Sequence, residues 1–512
     1  MEAIEDGKKL VRQLSLLDAT MIVVGSMIGS GIFLTSAESA RLVGAPGWLL
    51  VAWILAGVMT ITGALCVAEL AAMMPKAGGP YVFLSEAYNP ATGFLYGWSN
   101  FLIIQTGTIA AVAVAFANFA GVLFPPISGS NYVVSPIVLG SYAVSLSTQQ
   151  LLAIVVIALL TFINTRGLEA GKWIQNTFTF TKTAALLALV LLGLFVGWNA
   201  GGAAFTSDWW NPSANGWDIN QVQPGATAAG AFAFVLVLGR AMTGPLFSQS
   251  AWDNVTFAAG EVENPKRNLP KALLIGCLIV VGLYVAANIA YVVTLPLASI
   301  QNASGNRVAA VMMTEILGAS GAGIMAAAIM ISTFGCNNGL ILAGARISYA
   351  MARDRLFFPA LARTNSKNVP AMALAAQGVW ASLLVLPRTV TYTAADPATP
   401  VFGNVYTQLL EYIVSVDLVF GTLSVLAVIV LRRRTPEAER PYRTWGYPIV
   451  PIVFLMLSTF LIFNLAFLAP TTSGIGYLLA LTGIPVYFIW RKRAARLSVL
   501  ETSDTKNLHH LE

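Results

Sequence analysis

Two long hydrophobic stretches of this chain are each interrupted near the middle by residues that do not suit a helix. The first, residues 17–43, contains Gly25-Ser26-Met27-Ile28-Gly29-Ser30-Gly31. The second, residues 228–259, contains Gly244-Pro245-Leu246-Phe247-Ser248-Gln249-Ser250-Ala251. Lipid cannot satisfy the backbone groups that such breaks set free, so irregular backbone within a bilayer is found only where it lines a cavity. The matched pair of breaks predicts a binding site near the middle of the membrane.

The freed backbone groups determine what this site can bind. A half-helix that begins near Gly31 presents N–H groups and the positive end of its dipole, which suit a carboxylate. Unwound carbonyls suit an ammonium group, so a zwitterionic α-amino acid matches both. The spacing of Gly25 and Gly29 is also that of a helix-packing motif, which remains the competing interpretation of the first break taken alone.

The second break adds a proline and an aromatic residue. Pro245 cannot donate to the helical hydrogen-bond ladder, and Ser248 and Ser250 compete for backbone hydrogen bonds. Phe247 lies inside the break, where its ring could close over a ligand. The alternative is that Phe247 packs against the core or lipid, and Trp252 is open to the same two interpretations.

Lys182 lies inside the apolar stretch 177–198. An ammonium group at this depth is costly and marks function by default; it could carry a proton or act as a fixed cation. The alternative is that its side chain reaches back to the interface. A later apolar stretch, 320–345, contains polar residues that include Ser332, Cys336 and Asn338. They could accept hydrogen bonds from Lys182, line the pocket or simply bond neighbouring helices.

Three further charged residues lie in or beside apolar stretches. Arg240 precedes the second break by five residues, and we expect it at the outer membrane interface, with the substrate path as the alternative. Glu69 and Asp253 lie towards inner helix ends, where we expect them to pair with basic loop residues.

The elements that must position these residues are membrane helices, because the chain is 57% hydrophobic and only 10% charged. Soluble domains carry about 25% charged residues. We predict an all-α polytopic membrane protein with twelve spans, each long enough to cross about 30 Å of hydrocarbon. The spans are placed at 17–43, 47–73, 93–122, 150–166, 177–198, 228–259, 272–296, 320–345, 371–387, 404–431, 447–468 and 474–490.

Lys and Arg are distributed unevenly between the two sides of these spans. Of the 29, we assign 24 to one side, which the positive-inside rule places in the cytoplasm together with both termini. Residues 1–15 lack a secretory signal pattern. The net charge of +6 is therefore explained mostly by the basic residues of the cytoplasmic segments, and we predict no nucleic-acid partner.

No pattern of a catalytic or metal site is present. The three cysteines fall within spans without metal-site or disulfide spacing, and both histidines lie in the polar tail, at 509 and 510. We predict no metal, no cofactor and no enzymatic activity.

The spans divide into two sets of five, each opening with a broken helix. An odd number of spans inverts the second set relative to the first, which is typical of a carrier with its site between the repeats. The predicted segments are a tail at 1–16, repeats at 17–200 and 228–431 separated by an outer loop at 201–227, an inner loop at 432–446, spans eleven and twelve within 447–492, and a tail at 493–512.

Several short segments, in fixed order, resemble the amino acid–polyamine–organocation (APC) superfamily, most closely the bacterial relatives of the L-type amino acid transporters. They are Ile28-Gly29-Ser30-Gly31-Ile32-Phe33, Pro75-Lys76-Ala77-Gly78-Gly79-Pro80-Tyr81, Asn164-Thr165-Arg166-Gly167, Thr181-Lys182, Trp252-Asp253-Asn254, Gly260-Glu261-Val262-Glu263-Asn264-Pro265-Lys266-Arg267-Asn268-Leu269-Pro270 and Ala352-Arg353-Asp354. The resemblance spans residues 17 to about 435 and implies the LeuT-like fold.

The resemblance also implies roles for individual residues. The substrate carboxylate is expected at Ser30 and Gly31, with Ile32 alongside, and the amino group at carbonyls of Ile28 and of 247–250, beside Ala251. Phe247 matches the family's outer gate. Lys182 matches a lysine of the family that occupies the position taken by sodium in sodium-coupled relatives. It is expected to bridge spans one, five and eight through groups near Gly29 and Ser332.

The chain departs from the family pattern in the second break, where Ser248-Gln249-Ser250-Ala251 replaces a glycine-rich segment. Relatives that favour cationic substrates can carry an acidic residue near Ser250, and the segment 248–251 contains none, which favours neutral substrates. Eukaryotic members bond to a glycoprotein through a cysteine in the loop after span three; residues 123–149 contain none, so we expect no disulfide-linked partner.

The sequence therefore predicts an inner-membrane, sodium-independent exchanger of neutral L-amino acids that works by alternating access. A proton-coupled amino acid symporter is the nearest alternative, with Lys182 as the titrating group. A membrane sensor that binds amino acids without transporting them is the alternative from another class.

Overall fold

A computed structural model describes residues 12, 14–76, 78–166, 169–198, 208–366, 369–393 and 396–493. The described residues fold mainly into α-helices. These are α1 Leu16–Met27, α2 Gly31–Val43, α3 Pro46–Met73, α4 Pro80–Ala87, α5 Pro90–Ser99, α6 Gln105–Leu123, α7 Thr148–Thr165, α8 Glu169–Phe195, α9 Ile219–Val222, α10 Ala233–Ala241, α11 Thr243–Ser248, α12 Asn254–Phe257, α13 Pro265–Thr294, α14 Leu297–Gln301, α15 Val308–Leu317, α16 Ala319–Arg353, α17 Ala371–Leu384, α18 Val405–Arg434, α19 Ile449–Leu468 and α20 Pro470–Leu481.

Ten helical segments of the described chain are long and apolar enough to cross a membrane, and the bent pair α1 and α2 makes an eleventh. The ten are Pro46–Met73, Pro90–Leu123, Thr148–Thr165, Thr177–Phe195, Ala229–Ser248, Pro265–Thr294, Ala319–Arg353, Val405–Arg434, Ile449–Leu468 and Pro470–Arg493. The predicted ninth span, 371–387, is instead the 14-residue helix α17. Helix α17 ends at Leu384, three residues before Pro387. A proline disfavours helical geometry in the residue that precedes it.

The first predicted break separates α1 from α2. A capping box between Ser15 and Asp18 starts α1, which ends at Met27. Ile28 leaves the helical region with ψ of 89°, and α2 begins at Gly31 after a bend of 42°. The first N–H groups of α2 therefore have no acceptor within their own helix.

The second break is longer and contains a strained residue. Met242 separates α10 from α11, α11 ends at Ser248, and α12 begins only at Asn254. Ala251 has φ of 63°, in the left-handed region that favours glycine. This is the segment where the sequence departs from the family's glycine-rich pattern.

The segments between the helices contain four strands that the sequence analysis did not predict. β1 Tyr132–Leu139, β2 Tyr142–Ser147, β3 Pro387–Thr393 and β4 Asp396–Phe402 form one antiparallel sheet in that order. Ala143 lies opposite Arg388, so residues 132–147 and 387–402 occupy the same side of the protein. We call this the sheet side.

The opposite side is the basic side, defined by Arg432, Arg433 and Arg434 at the end of α18. Glu69, 1% exposed at the end of α3, accepts bonds of 2.9 and 2.7 Å from Arg432 and one of 2.7 Å from the Thr444 N–H. Glu69 was expected to pair with basic loop residues; Arg432, which opens the predicted loop 432–446, lies in the last turn of α18, and Arg440 of the loop is 3.5 Å from the same carboxylate. This ion pair joins α3 to α18, and truncating one partner would leave a buried charge uncompensated.

The strain at Ala251 predicts the effect of a glycine there. We expect Ala251→Gly to leave the melting temperature unchanged or to raise it. Relief of roughly 1–2 kcal/mol of left-handed strain offsets the roughly 0.5–1 kcal/mol entropic cost of glycine. Thermal unfolding of the purified protein in detergent measures this.

The matched control is Ala64→Gly, which alters a fully buried residue within α3 that has no such strain to relieve. We expect this control to lower the melting temperature. A fall of equal size in Ala251→Gly would show that the backbone at residue 251 is not strained.

Candidate functional site

The two breaks meet in the interior of the protein. A side chain at Gly31 would place its Cβ 2.1 Å from the Ser248 Oγ, so only glycine allows this approach. Thr35, one turn further along α2, has its Oγ1 3.2 Å from the same Ser248 Oγ. The start of α2 and the end of α11 are therefore in direct contact.

Tyr406, at the start of α18, completes this contact. Its hydroxyl lies 3.0 Å from the Ser30 Oγ, and its ring packs edge-on against Phe247 with centroids 6.1 Å apart. We call Ser30, Gly31, Phe247, Ser248 and Tyr406 the central layer. All five are buried.

Two cavities flank the central layer. The basic-side cavity has a volume of about 80 Å³ and is bounded by α3, α18, α19 and the unwound segment after α11. The sheet-side cavity has about 30 Å³ and is bounded by α2, α10 and the start of α18. The layer thus separates two spaces, each of which lies towards one side of the protein.

Of the eight residues predicted to bind substrate, four lie in the layer and six line neither cavity; Ser250 and Ala251 line the basic-side cavity. Ile28 and Ile32 are fully buried. The Ile32 carbonyl accepts a 3.2 Å bond from the Tyr291 hydroxyl, and the Ser250 Oγ donates 2.7 Å to the Phe247 carbonyl. A substrate between the breaks would have to part Gly31 from Ser248.

Lys182 is 1% exposed and joins α8 to α1. Its Nζ donates to the Gly25 carbonyl, one turn before the break. The expected partners were groups near Gly29 and at Ser332, and the structure differs at both. The Ser332 Oγ has no hydrogen-bond partner among the described residues. Lys182 is thus buried, and its bond is to an earlier carbonyl of α1.

The two pocket-lining candidates of α16 have different surroundings. The Cys336 Sγ donates to the Ser26 carbonyl at 3.6 Å and lies against Gly29, where a Cβ would be 3.2 Å away. Cys336 therefore packs behind the first break. Asn338 accepts a 2.8 Å bond from Asn164 and ties α16 to α7, away from both cavities.

Arg240 does not lie free at the interface. It lines the sheet-side cavity, donates 3.0 Å to Glu411 of α18 and also bonds Gln223. This ion pair connects α10 to α18 just above the central layer, so Arg240 borders the space through which a substrate would reach the breaks from the sheet side.

Three residues of this region escaped the sequence analysis. Tyr406 has no distinguishing signal among 15 tyrosines. Asp417 is an acid inside the apolar span α18, which is the same signal that identified Lys182. Gln249 is fully buried beside the unwound segment.

The expected pairing of Asp253 with a basic loop residue is wrong. Asp253 lines the basic-side cavity together with Asp417. Neither carboxylate has a lysine or arginine partner in the part of the chain that the structure describes. The unwound segment directs Asp253 towards α18 rather than towards the loops.

Comparison with known proteins identifies the family. The amino acid permease profile matches residues 14–490. The mouse large neutral amino acids transporter small subunit 2 is 29% identical over 488 residues, which cover 94% of this chain and 82% of that protein. The serine/threonine exchanger SteT of Bacillus subtilis (strain 168) is 28% identical over 489 residues, 95% of this chain and 98% of the relative.

A third relative is the human Asc-type amino acid transporter 1, which is 27% identical over 504 residues, or 97% of this chain and 86% of that protein. These relatives are transporters rather than enzymes, and they match nearly the whole chain. The resemblance seen in the short motifs therefore extends through the complete helical bundle. The chain is a multi-pass membrane protein that belongs to the amino acid permease family of the APC superfamily.

Proposed function

We propose that this protein is a sodium-independent exchanger of neutral L-amino acids that works by alternating access. The observation that carries the proposal is the central layer, in which the two breaks meet between a cavity on each side. A carrier needs such a barrier, which opens to one side at a time around a fixed site. The relatives, which include a serine/threonine exchanger and a large neutral amino acids transporter, favour the same activity.

In this proposal the substrate lies between the two breaks. Its carboxylate meets the free N–H groups at the start of α2, around Ser30 and Gly31, where the helix dipole favours negative charge. Its amino group meets carbonyls near Ile28 and between Phe247 and Ser250. Binding separates Gly31 from Ser248, and the ring of Phe247 closes over the ligand.

We attribute the proposed independence from sodium to the ammonium group of Lys182. Its ammonium group reaches the Gly25 carbonyl and holds α8 against α1 close to the first break. A fixed positive charge at this place can do the structural work of a bound metal cation. If Lys182 instead released its proton during the cycle, the protein would be a proton-coupled symporter.

Residues 17–200 and 228–431 form the proposed inverted repeats, with α1–α2 and α10–α12 as their broken first helices. We place both termini and the basic side in the cytoplasm, following the distribution of Lys and Arg. No disulfide-linked partner is proposed, because all three cysteines of the chain are buried.

The proposal is tested in proteoliposomes with radiolabelled L-alanine, L-serine and L-leucine. We expect uptake only when unlabelled amino acid is present inside, with equal rates in sodium and choline buffers. Uptake into empty vesicles that grows with an inward proton gradient would contradict exchange and favour the symporter. Binding without any flux would favour the sensor.

Substitution of Lys182 tests its proposed role. We expect Lys182→Ala to reduce alanine exchange at least about ten-fold, since loss of one charge-assisted bond of 1.5–3 kcal/mol weakens the link between α8 and α1. The control is Lys266→Ala, which removes an exposed ammonium from the basic side. Undiminished exchange by well-folded Lys182→Ala protein would refute the role.

Substitution of Phe247 tests the gate. We expect Phe247→Ala to increase efflux into substrate-free buffer relative to exchange, because the central layer loses its ring contact with Tyr406. Phe463→Ala, at a lipid-facing position that is 70% exposed, serves as the control. Unchanged efflux and exchange would make Phe247 a packing residue.

A further inference from the structure

An ion pair joins two membrane helices at the sheet-side cavity. The Arg240 guanidinium donates 3.0 Å to the Glu411 carboxylate, and both side chains line the cavity. The two side chains are 24% and 13% exposed, and they belong to the apolar segments Ala229–Ser248 and Val405–Arg434. Charged side chains within such segments are costly, and by default they mark function.

Each member of this ion pair is held by a second hydrogen bond. The other Glu411 carboxylate oxygen accepts 2.7 Å from the Thr472 hydroxyl at the start of α20. Arg240 also donates to the Gln223 side-chain oxygen, and the Gln223 amide donates 3.3 Å to the Leu468 carbonyl at the end of α19. Exposed ion pairs are weak partly because two long side chains must be ordered to form them. Here the network orders both side chains, so the pair can stabilise one arrangement of α10 and α18.

The β-sheet holds the same end of α18. The Gln408 side-chain oxygen accepts 2.8 Å from the Thr389 N–H of β3. The Tyr412 hydroxyl donates 3.0 Å to the Tyr142 hydroxyl of β2. The part of α18 that carries Glu411 is therefore fastened to the sheet as well as to α20.

Helix α10 is bonded to α2, the second half of the first broken helix. The Ser39 hydroxyl donates 2.8 Å to the Ala241 carbonyl, so the sheet-side halves of the two broken helices are joined. These halves meet α18 in the central layer, where the Ser30 and Tyr406 hydroxyls are 3.0 Å apart. They meet α18 again in the sheet-side cavity, through the ion pair. An opening towards the sheet side has to separate these groups.

A second ion pair at the same cavity has a different arrangement. Glu38 also lines the cavity, and the Arg41 guanidinium is 2.6 Å from its carboxylate. Both residues belong to α2, so their pair joins no two helices. It would stay intact whichever side of the protein opens, and it therefore provides an internal comparison.

We propose that the ion pair of Arg240 and Glu411 is a latch that holds the sheet side closed and must break before a substrate enters from that side. The inference rests on the proposed alternating access and names the charged groups that bias it. Both are positioning residues, which act by holding α10 against α18 and need not touch the substrate.

The size of the cavity explains how a latch of this kind can be both firm and reversible. The closed cavity of about 30 Å³ has room for only about two water molecules, so two separated charges would be poorly solvated there. Once the cavity opens to water, both charged groups regain their hydration and the pair contributes little. The ion pair therefore stabilises the closed arrangement without preventing the open one.

The test measures thiol labelling by a neutral maleimide in purified full-length protein without substrate. The reporters are Thr407→Cys in the sheet-side cavity and Ser424→Cys in the basic-side cavity, with the three native cysteines replaced. The test variant combines Arg240→Gln with Glu411→Gln, which removes the pair and leaves neither charge uncompensated. Arg240→Lys keeps a cation opposite Glu411 and tests for rescue.

The matched control combines Glu38→Gln with Arg41→Gln, which removes the ion pair that lies within α2. Both double variants change the charges around the sheet-side cavity in the same way. The change at Glu38 and Arg41 frees no helix from another, so it tests whether loss of charge alone alters labelling.

We expect the test variant to raise the ratio of sheet-side to basic-side labelling rates at least about five-fold, because loss of the latch shifts the population towards the sheet-side-open arrangement. The control and Arg240→Lys should stay within about two-fold of the native ratio. If the double variant does not fold, Glu411→Gln alone repeats the measurement with the same expected direction.

An unchanged ratio, including one in which both rates rise together, would show that the ion pair only supports the fold, and the proposal would be wrong. The labelling needs no flux, so its outcome is separate from that of the exchange assay. A shifted ratio in a protein that exchanges no amino acid would retain the latch and refute the exchange function. Amino acid exchange with an unchanged ratio would retain that function and refute the latch.

Discussion

The close approach of Gly31 to Ser248 is the contact on which the central layer depends. Each break frees backbone groups that lipid cannot satisfy, so each break must face protein or a polar space. The structure meets this requirement by placing the two breaks against each other. Only a glycine allows it, since any Cβ at residue 31 would overlap the Ser248 side chain. The start of α2 and the end of α11 are thereby brought to one place.

The helices around this contact hold it at fixed depth through buried polar bonds. Tyr284 and Tyr291 of α13 donate to the carbonyls of Met27 and Ile32, on either side of the first break. Lys182 bonds the Gly25 carbonyl from α8. These bonds use carbonyls that the break and its flanks expose, and they leave the first N–H groups of α2 free to bind an anion.

Hydropathy and helix-breaking residues made the spans, the first break and the burial of Lys182 predictable, because these features depend on short stretches of sequence. The strands β1–β4 were not predictable in this way, since residues 132–147 pair with residues 387–402 only after the bundle has formed. The short helix α17 had a local signal in Pro387 that the hydropathy reading overlooked. The positions of Tyr406 and Asp417 beside the breaks depend on how α18 packs against the other helices, and this packing cannot be predicted from short stretches of sequence.

Alternating access requires that the layer between the two cavities opens to one side at a time. The most direct measurement is cysteine accessibility at Thr407→Cys in the sheet-side cavity and Ser424→Cys in the basic-side cavity. Cys66, Cys277 and Cys336 are replaced so that only the new thiol reacts. If the layer opens to one side at a time, adding L-alanine shifts the two labelling rates in opposite directions. Rates that rise together, or that do not respond to any amino acid, would contradict alternating access through this layer.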